Sequence, residues 1–209
     1  MTAAPKYIQA SSSIAGGIIR KNERILYRAE GMAVKEFLLS AYGQLGIDYP
    51  KFYKMDNLSK LGILATEVLL TEGPGKRYPA AAATAVVLAN RNASLDTDLQ
   101  YWETVKNIPS PALFVYTLPN IVIGEICIRN RWKGENAFFV QEHFDIPFLS
   151  FYVNDLMDRR KMATCICGWV DIIGEEYRAV VYRIGGEAEN GALPFTNEHI
   201  NHIYENANG

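Results

Sequence analysis

The stretch that decides the fold is GENAFFVQEHFDIPFLSFYVNDLMDRR, residues 134–160. Its first part predicts a strand over residues 136–143, and the apolar spacing of the rest predicts a helix over 145–161. A strand that turns directly into a helix aims backbone N–H groups and the positive end of the helix dipole at one point. Glu142 and His143 lie in this turn, and such turns hold nucleophiles or anions in many α/β enzymes. A surface histidine that only marks the end of a strand explains the same pattern.

The composition is that of an ordinary globular protein, and it narrows the range of partners. The 209 residues carry a formal net charge of -2, which leaves no excess of cations for phosphate contacts, so we expect no nucleic-acid partner. No apolar run is long enough to span a bilayer, and the N-terminus lacks a basic-then-apolar signal pattern. We expect a cytoplasmic protein, folded as one domain over residues 1–209, with no cofactor or metal ion.

Cysteine and histidine spacing points away from a metal site. Cys127, Cys165 and Cys167 fit neither a zinc site nor a redox pair, and we interpret them as reduced thiols that pack in the interior. His199 and His202 could share one face of a C-terminal helix. Two imidazoles without a third ligand predict surface residues rather than a metal centre.

Apolar periodicity and turn residues predict the other helices and strands. The clearest helix is predicted over residues 54–72, with Asp56 as its N-cap and Gly73–Pro74–Gly75 ending it. The small and β-branched run over residues 80–89 predicts a strand buried on both faces. Further helices are predicted over 33–47, 94–105, the segment after Pro119 and 195–206. Residues 22–30 are predicted to be irregular and 112–118 to be extended. Residues 163–184 are predicted to form a hairpin that turns at Ile173–Gly174–Glu175.

A run of serines follows the beginning of the first predicted strand. Residues 6–14, KYIQASSSI, begin as a strand and break into a loop at Ser11, Ser12 and Ser13, which Gly16–Gly17 closes. The serines could line a polar cleft, but the pattern favours a plain turn. The order of the predicted elements indicates a three-layer α/β fold with a mostly parallel mixed sheet flanked by helices.

Four segments resemble the β-ketoacyl synthases, which are condensing enzymes of the thiolase-like fold. KMDNLSKLGILATEVLL (54–70) resembles their helix with a Met-Asp-x-x-Ser pattern, and VVLANRNASLDTDLQYWETV (86–105) resembles the strand, loop and helix that follow. SPALFVYTLPNIVIGEICIRNRWKGENAFFV (110–140) resembles the segment before the nucleophile, and MATCICGWVDI (162–172) resembles the next core strand. The resemblance covers roughly residues 50–172. It implies the N-terminal half of the thiolase-like fold. The resemblance extends to the reduced versions of this fold that are found beside aryl-polyene and flexirubin-type pigment synthesis genes.

The chain departs from the family pattern at the catalytic residues. In the family, a Gly-Pro pair begins the strand and the nucleophilic cysteine comes nine residues after that glycine. Here Gly134 is followed by Glu135, and the ninth residue on is His143, which cannot hold a thioester-linked acyl chain as a cysteine thiolate does. The family's two catalytic histidines and its lysine belong to a C-terminal half that this sequence does not contain. The resemblance therefore implies a ketosynthase fold without the residues for condensation.

Three hypotheses follow from this resemblance. The first is a non-condensing subunit of fatty acid or polyketide (aryl-polyene-type) synthesis that binds an acyl chain or an acyl carrier protein. It would pair with a second copy or a full-length ketosynthase through a strand that carries Phe138, Phe139 and Val140, which would promote aggregation at an exposed edge. The alternative is a decarboxylase or acyl hydrolase in which His143 acts as a general base beside Glu142. A structural relic without a ligand is the third.

The location of His143 separates the first two hypotheses. A cleft that reaches His143 and holds a second polar group would favour the enzyme, whereas a side chain sealed in a dimer seam would favour the binding subunit. Asn120, in the Leu-Pro-Asn segment, could donate a hydrogen bond to a bound carbonyl. Strand ends such as the one predicted at Ser11 to Ser13 face the same cleft in the family's architecture, so we expect these residues to surround a ligand.

Overall fold

The computed structural model describes residues 4–71 and 81–207. Within these residues one sheet of eight strands is flanked by helices on both faces. The strands are β1 Tyr7–Ala15, β2 Ile18–Lys21, β3 Arg24–Arg28, β4 Thr84–Asn90, β5 Asn136–Val140, β6 Thr164–Ile173, β7 Glu176–Gly185 and β8 Leu193–Pro194. The helices are α1 Val34–Gln44, α2 Asn57–Leu70, α3 Leu95–Val105, α4 Pro111–Phe114, α5 Ile121–Asn130, α6 Ile146–Asp158 and α7 Asn197–Asn206, with short 3₁₀ turns at Pro50–Lys54 and Ala81–Ala83.

The sheet is mixed, as the sequence predicts. Its strands lie in the order β3–β2–β1–β7–β6–β4–β5, and β8 pairs with β1. The parallel pairings are β4 with β5 and β4 with β6, and the other pairings are antiparallel. Parallel pairing is therefore less extensive than expected, because β1 to β3 form a meander and β6 and β7 form a hairpin. The hairpin turn at Gly174 is confirmed, and the left-handed backbone of this residue (φ 57°) suits glycine.

The helices form the two outer layers of a three-layer structure. Helices α1, α2 and α5 pack on one face of the sheet, and α6 and α7 pack on the other. Helix α2 is the most deeply buried of these because it lies between the sheet, α1 and α5. The predicted cap is confirmed, since the Asp56 carboxylate accepts a hydrogen bond from the Ser59 N–H at 3.0 Å. The predicted stop at Gly73–Pro74–Gly75 lies outside the described residues.

The predicted serine loop is wrong, because Ser11, Ser12 and Ser13 are buried in the middle of β1. Strands β2 and β7 pair with β1 on either side and satisfy its backbone, so no loop is needed. The Ser12 hydroxyl donates to the carbonyl of Ala65 in α2 at 2.7 Å, which removes the cost of burying it. The turn predicted at Gly16–Gly17 is confirmed as the connection between β1 and β2.

Two other local predictions are corrected. Residues 22–30 contain strand β3 rather than an irregular segment, since pairing with β2 orders Arg24–Arg28. Residues 112–118 are not extended, because Ser110 caps the short helix α4 and Pro111 occupies its first turn. Tertiary packing against α3 thus overrides the β-propensity of an apolar run.

The strand-to-helix unit predicted within residues 134–160 is confirmed with shorter bounds. β5 ends at Val140 rather than residue 143, and α6 covers Ile146–Asp158. Gly134 precedes β5 where the chain passes the first residue of β4; a Cβ on Gly134 would lie 2.1 Å from the Thr84 carbonyl oxygen. A side chain at this position would force the two segments apart.

Candidate ligand cleft

A cleft of about 640 Å³ opens at the edge of the sheet where β4, β5 and β6 end. In open α/β sheets, ligands commonly bind outside the carboxyl ends of the strands where the strand order reverses. β4 is such a point, since β5 lies on one side of it and β6 on the other. The residues that line the cleft include Arg91, Asn92, Glu142, His143, Phe144, Trp169, Asp171, Arg178, Asn201 and Tyr204.

The floor of the cleft is aromatic. Phe144 and Trp169 are buried, with ring centroids 5.8 Å apart, and Tyr204 of α7 packs on Phe144 at 4.8 Å. Charged and amide side chains form the wall and rim above these rings. Nine of the fifteen lining residues carry charged, amide or imidazole side chains, so the cleft is more polar than the usual small-molecule site and its apolar floor is small.

His143 and Glu142 are exposed on the rim, in the turn between β5 and α6. Neither side chain forms a hydrogen bond or ion pair with any residue in 4–71 or 81–207. The following residue, Phe144, fills the interior instead. Asp145 caps α6 and accepts a hydrogen bond from the Phe148 N–H at 2.9 Å. One free donor of the helix N-terminus is therefore used by the chain itself.

Asp171 and Arg178, which sequence analysis did not select, shape the cleft wall. Asp171 accepts hydrogen bonds from the backbone N–H groups of Arg91 and Asn92 at 3.1 and 2.9 Å, and from the Asn92 amide at 2.8 Å, so it holds the loop after β4. The Arg178 guanidinium lies 3.4 Å from the ring centroid of Tyr204 and donates to the Tyr204 carbonyl. This contact places a fixed cation between β7 and α7.

The other predicted site residues do not meet at the cleft. Ser11, Ser12 and Ser13 lie in β1, which β7 and β6 separate from β4. Asn120 is exposed at the N-terminus of α5, and α5 packs on the opposite face of the sheet from α6. His143 and Glu142 thus line the cleft, whereas Asn120 and the three serines lie outside it.

None of the three cysteines lies at the β5–α6 turn. Cys165 and Cys167 are fully buried on one face of β6, as predicted, and Cys127 is half-buried on α5. Burial raises the pKa of the Cys127 thiol to about 11. Burial, with a smaller effect of Cys165, also raises the pKa of Cys167. The Cys127 and Cys167 thiols therefore remain protonated and weakly nucleophilic at neutral pH.

The C-terminal histidines have local structural contacts. His199 Nδ1 lies 2.9 Å from the Pro194 carbonyl oxygen and 3.0 Å from the Thr196 hydroxyl. His202 Nε2 lies 3.1 Å from the Asn206 amide. Within residues 4–71 and 81–207, no three His, Cys, Asp or Glu side chains are grouped as metal ligands. In the same ranges, no helix has the length and apolar character required to cross a bilayer.

β5 forms one edge of the sheet and pairs only with β4 in the described part of the chain. The Val86 N–H donates to the Glu135 carbonyl, and the Gln141 N–H donates to the Asn90 carbonyl. Because backbone groups alternate along a strand, the N–H and C=O groups of Asn136, Phe138 and Val140 point away from β4. The predicted pairing strand therefore presents a free edge.

The side chains of β5 differ in how well their own chain covers them. Phe138 packs partly against the α1/α2/α5 side, and Phe139 forms edge-on contacts with Phe148 and Tyr152 of α6 at 4.8 and 5.1 Å. Val140 is 55% exposed. Of the three residues predicted to meet a partner, Val140 is thus the one whose side chain is exposed enough to contact another protein.

Three solved structures are similar to this chain in fold. The ishigamide ketosynthase/chain length factor matches with a TM-score of 0.63 and 16% identity over 87% of this chain and 62% of that chain. The chain has the ketosynthase/chain-length-factor fold. A chain of the ketosynthase (ApeO) in complex with its chain length factor (ApeC) from Xenorhabdus doucetiae matches with a TM-score of 0.59 and 12% identity, over 99% of this chain and 92% of that chain.

A third structure with the ketosynthase-like fold contains a carrier protein. It is AntDE:AntF, a type II polyketide synthase acyl-carrier protein in complex with its ketosynthase bound to the hexaketide, with a TM-score of 0.57 and 11% identity over 88% of this chain. The chain spans 62% and 63% of the matched chains in the ishigamide and AntDE:AntF structures. No protein-family model and no curated protein sequence matches it. The thiolase-like fold implied by the sequence resemblance is confirmed.

Proposed function

We propose that this chain is a non-condensing subunit of a ketosynthase-type complex in fatty acid or polyketide synthesis, and that it acts in the cytoplasm. The free edge of β5 carries the proposal. Unpaired strand edges promote aggregation, and pairing with another chain removes this hazard. The solved structures of the same fold are described as complexes of a ketosynthase with a chain length factor or a carrier protein. We propose that this chain likewise forms a complex, either with a second copy of itself or with a ketosynthase.

The residues at the nucleophile position support the non-condensing part of the proposal. The sequence resemblance aligns His143, in the β5–α6 turn, with the family's cysteine, and the three thiols of the chain lie in α5 and β6. An acyl group could still occupy the aromatic floor of the cleft without a covalent bond, since Phe144 and Trp169 offer apolar surface below a polar rim. We propose an acyl chain, free or attached to a carrier protein, as the ligand of this cleft.

Val140 offers a test of the edge pairing that leaves the fold intact. Its N–H points away from β4 and its side chain is exposed, so Val140→Pro deletes one outward donor without removing a bond to β4. We expect Val140→Pro to weaken association by at least about tenfold, because a hydrogen bond is lost and the ring separates the strands. Val140→Thr keeps the N–H and is the matched control.

The measurement is co-purification of the tagged chain at native expression level, followed by mass spectrometry of bound protein and lipid. We expect the wild type and Val140→Thr to retain a ketosynthase or an untagged second copy, and Val140→Pro to lose it while keeping the wild-type melting temperature. Equal recovery with all three chains, or a monomer with no partner, would contradict pairing through β5.

The cleft itself favours one second candidate, an acyl hydrolase or decarboxylase. His143 lies on the rim of a cleft that also contains Glu142 and Arg178, so the structure contains the second polar group that this function requires. An imidazole base is normally oriented by a third group, and no described residue fulfils this role. Hydrolysis of short acyl-pantetheine thioesters that His143→Ala abolishes and Asn120→Ala leaves unchanged would establish this activity.

A further inference from the structure

Arg178 on β7 is a cation in the wall of the cleft, where it lies half-buried against α7. Its guanidinium forms no ion pair with a carboxylate in residues 4–71 or 81–207. A guanidinium keeps its charge at neutral pH and presents its N–H donors in one plane, which matches the oxygens of a carboxylate. Arg178 is therefore a candidate binding group for an anion in the cleft.

The contacts of Arg178 fix its guanidinium but do not use all of its donors. The guanidinium lies 3.4 Å from the ring centroid of Tyr204, and Nη2 donates to the Tyr204 carbonyl. Tyr204 is in the last turn of α7, whose dipole stabilises the cation in the free protein. In the part of the chain that the structure describes, Nε is buried without an acceptor and Nη1 donates no hydrogen bond. Unsatisfied donors are unfavourable, so an oxyanion beside Arg178 gains both charge attraction and hydrogen bonds.

The sheet register places a carboxylate beside Arg178, but that carboxylate is bound elsewhere. Asp171 of β6 lies directly opposite Arg178 in the antiparallel β6–β7 pair, a position at which opposite charges commonly interact. The Asp171 carboxylate instead accepts three hydrogen bonds from Arg91 and Asn92, and the Arg178 side chain turns to Tyr204. The charge of Arg178 therefore remains available to a ligand.

The apolar floor of the cleft begins beside this cation. Tyr204 contacts the Arg178 guanidinium and also packs on Phe144 at 4.8 Å, and the Phe144 ring in turn lies 5.8 Å from Trp169. Tyr204 therefore joins the charged part of the cleft to its apolar part. A ligand with an oxyanion at Arg178 has its remaining atoms near Phe144 and Trp169, so the arrangement suits a carboxylate that ends a chain of apolar carbon atoms.

The acidic side chains of the rim restrict the charge of the ligand. Glu142, Glu176 and Glu205 are exposed at the cleft and form no hydrogen bond or ion pair with any residue that the structure describes. Their carboxylates repel further negative charge. A ligand with one carboxylate at Arg178 and an uncharged body avoids this repulsion, whereas a ligand with a second carboxylate meets the rim.

We propose that the cleft selects the free acid of an acyl chain over its thioester, and that Arg178 is the residue that makes this distinction. A thioester is neutral at its acyl end, whereas the free acid carries a carboxylate that accepts charge-assisted hydrogen bonds from a guanidinium. The ligand is thus a monocarboxylate with an apolar body. The inference rests on the proposed function, because it names the ligand class of the same cleft.

Calorimetric titration of the full chain tests the selection with octanoate, octanamide, octanoyl-pantetheine and octanedioate. We expect octanoate to bind at least about tenfold more tightly than octanamide, which has a similar shape without the charge, and than octanoyl-pantetheine. Octanedioate should bind more weakly than octanoate, because its second carboxylate meets the acidic rim. In isotope-labelled wild-type protein, the nuclear magnetic resonance signal of the Arg178 Nε–H should shift with octanoate and remain unchanged with octanamide.

Substitutions of Arg178 test its role directly. Arg178→Gln keeps an amide donor but removes the charge, so we expect the octanoate affinity to fall by at least about tenfold, to that of octanamide. Arg178→Lys keeps the charge without the planar guanidinium and should recover part of the preference. Arg24→Gln removes an exposed arginine of β3 outside the cleft and is the matched control, which should leave both affinities unchanged. The wild-type resonance measurement still decides the proposal if Arg178→Gln does not fold.

The outcomes separate this inference from the proposed function. Tighter binding of octanoyl-pantetheine than of octanoate would overturn the selection of the acid and leave acyl binding in the cleft intact. An octanoate preference that survives in Arg178→Gln, or that Arg24→Gln also removes, would refute the assignment to Arg178. No binding of any probe at millimolar concentration would contradict both the inference and the acyl ligand of the cleft, whereas the subunit role is tested separately by Val140→Pro.

Discussion

At the scale of single residues, burial determines how readily the Cys127 thiol ionises and reacts. Burial raises the pKa of Cys127 to about 11, whereas an unfolded cysteine has a pKa of about 8.5. The folded protein therefore keeps the Cys127 proton up to a higher pH than the unfolded chain does. The contribution of this pKa difference to the free energy of unfolding is complete below a pH of about 8.5 and is lost as the pH rises towards 11. We expect alkylation of Cys127 in the folded protein to increase as the pH approaches 11, and in the urea-unfolded control to increase around a pH of about 8.5, measured by quenched mass spectrometry.

The same thiol properties predict that no acyl-enzyme forms. Incubation with acyl-carrier-protein thioesters or a cerulenin-like electrophile at neutral pH should leave the intact mass unchanged. A stoichiometric adduct on Cys127, Cys165 or Cys167 would show that the nucleophile was misplaced, and it would also remove the basis for a non-condensing role.

At the scale of secondary-structure elements, Asp56 joins two helices. Its carboxylate accepts from the Ser59 N–H in α2 and, at 2.7 Å, from the Thr97 hydroxyl in α3. Asp56→Ala removes the cap and leaves the buried Thr97 hydroxyl without this acceptor, so we expect the free energy of unfolding to fall by about 1–3 kcal/mol. Urea denaturation measures this loss.

Asp56→Asn is the matched variant for the cap. It keeps an acceptor oxygen for Ser59, and it removes a carboxylate whose pKa is raised chiefly by burial. We therefore expect a loss smaller than that of Asp56→Ala. Equal losses in the two variants would show that the charge of Asp56, rather than its acceptor geometry, holds α2 and α3 together.

At the scale of the whole molecule, α7 closes the layer that contains the cleft. Ile200 is fully buried against the sheet, the Tyr182 hydroxyl donates to the Ile200 carbonyl at 3.0 Å, and Tyr204 packs on Phe144. Ile200→Ala leaves a cavity between α7 and the sheet, so we expect it to cost about 2–5 kcal/mol by urea denaturation. Asn201→Ala, at the exposed neighbouring position, should change stability by no more than about 0.5 kcal/mol. A similar loss in both variants would contradict the core role of Ile200.

The sequence by itself determined the elements whose local signals agree with their burial. The apolar stripe of α2 with its Asp56 cap, the small-residue strand β4 and the turn at Gly174 all follow from spacing and backbone chemistry. The same holds for the lack of a cysteine at the β5–α6 turn. These features depend on residues close together in the chain, and for that reason a single sequence is enough to predict them.

Only the tertiary structure decided which distant residues meet. Serine favours loops because its hydroxyl competes for backbone hydrogen bonds, yet Ser12 is buried in β1 because Ala65 in α2 accepts from it. The cleft joins His143 with Trp169, Asp171 and Arg178 because β4 lies between β5 and β6, and this strand order is not written in any local pattern. The carboxyl ends of parallel strands share one edge, so the signal for the cleft existed, but it could be used only once the pairing was known.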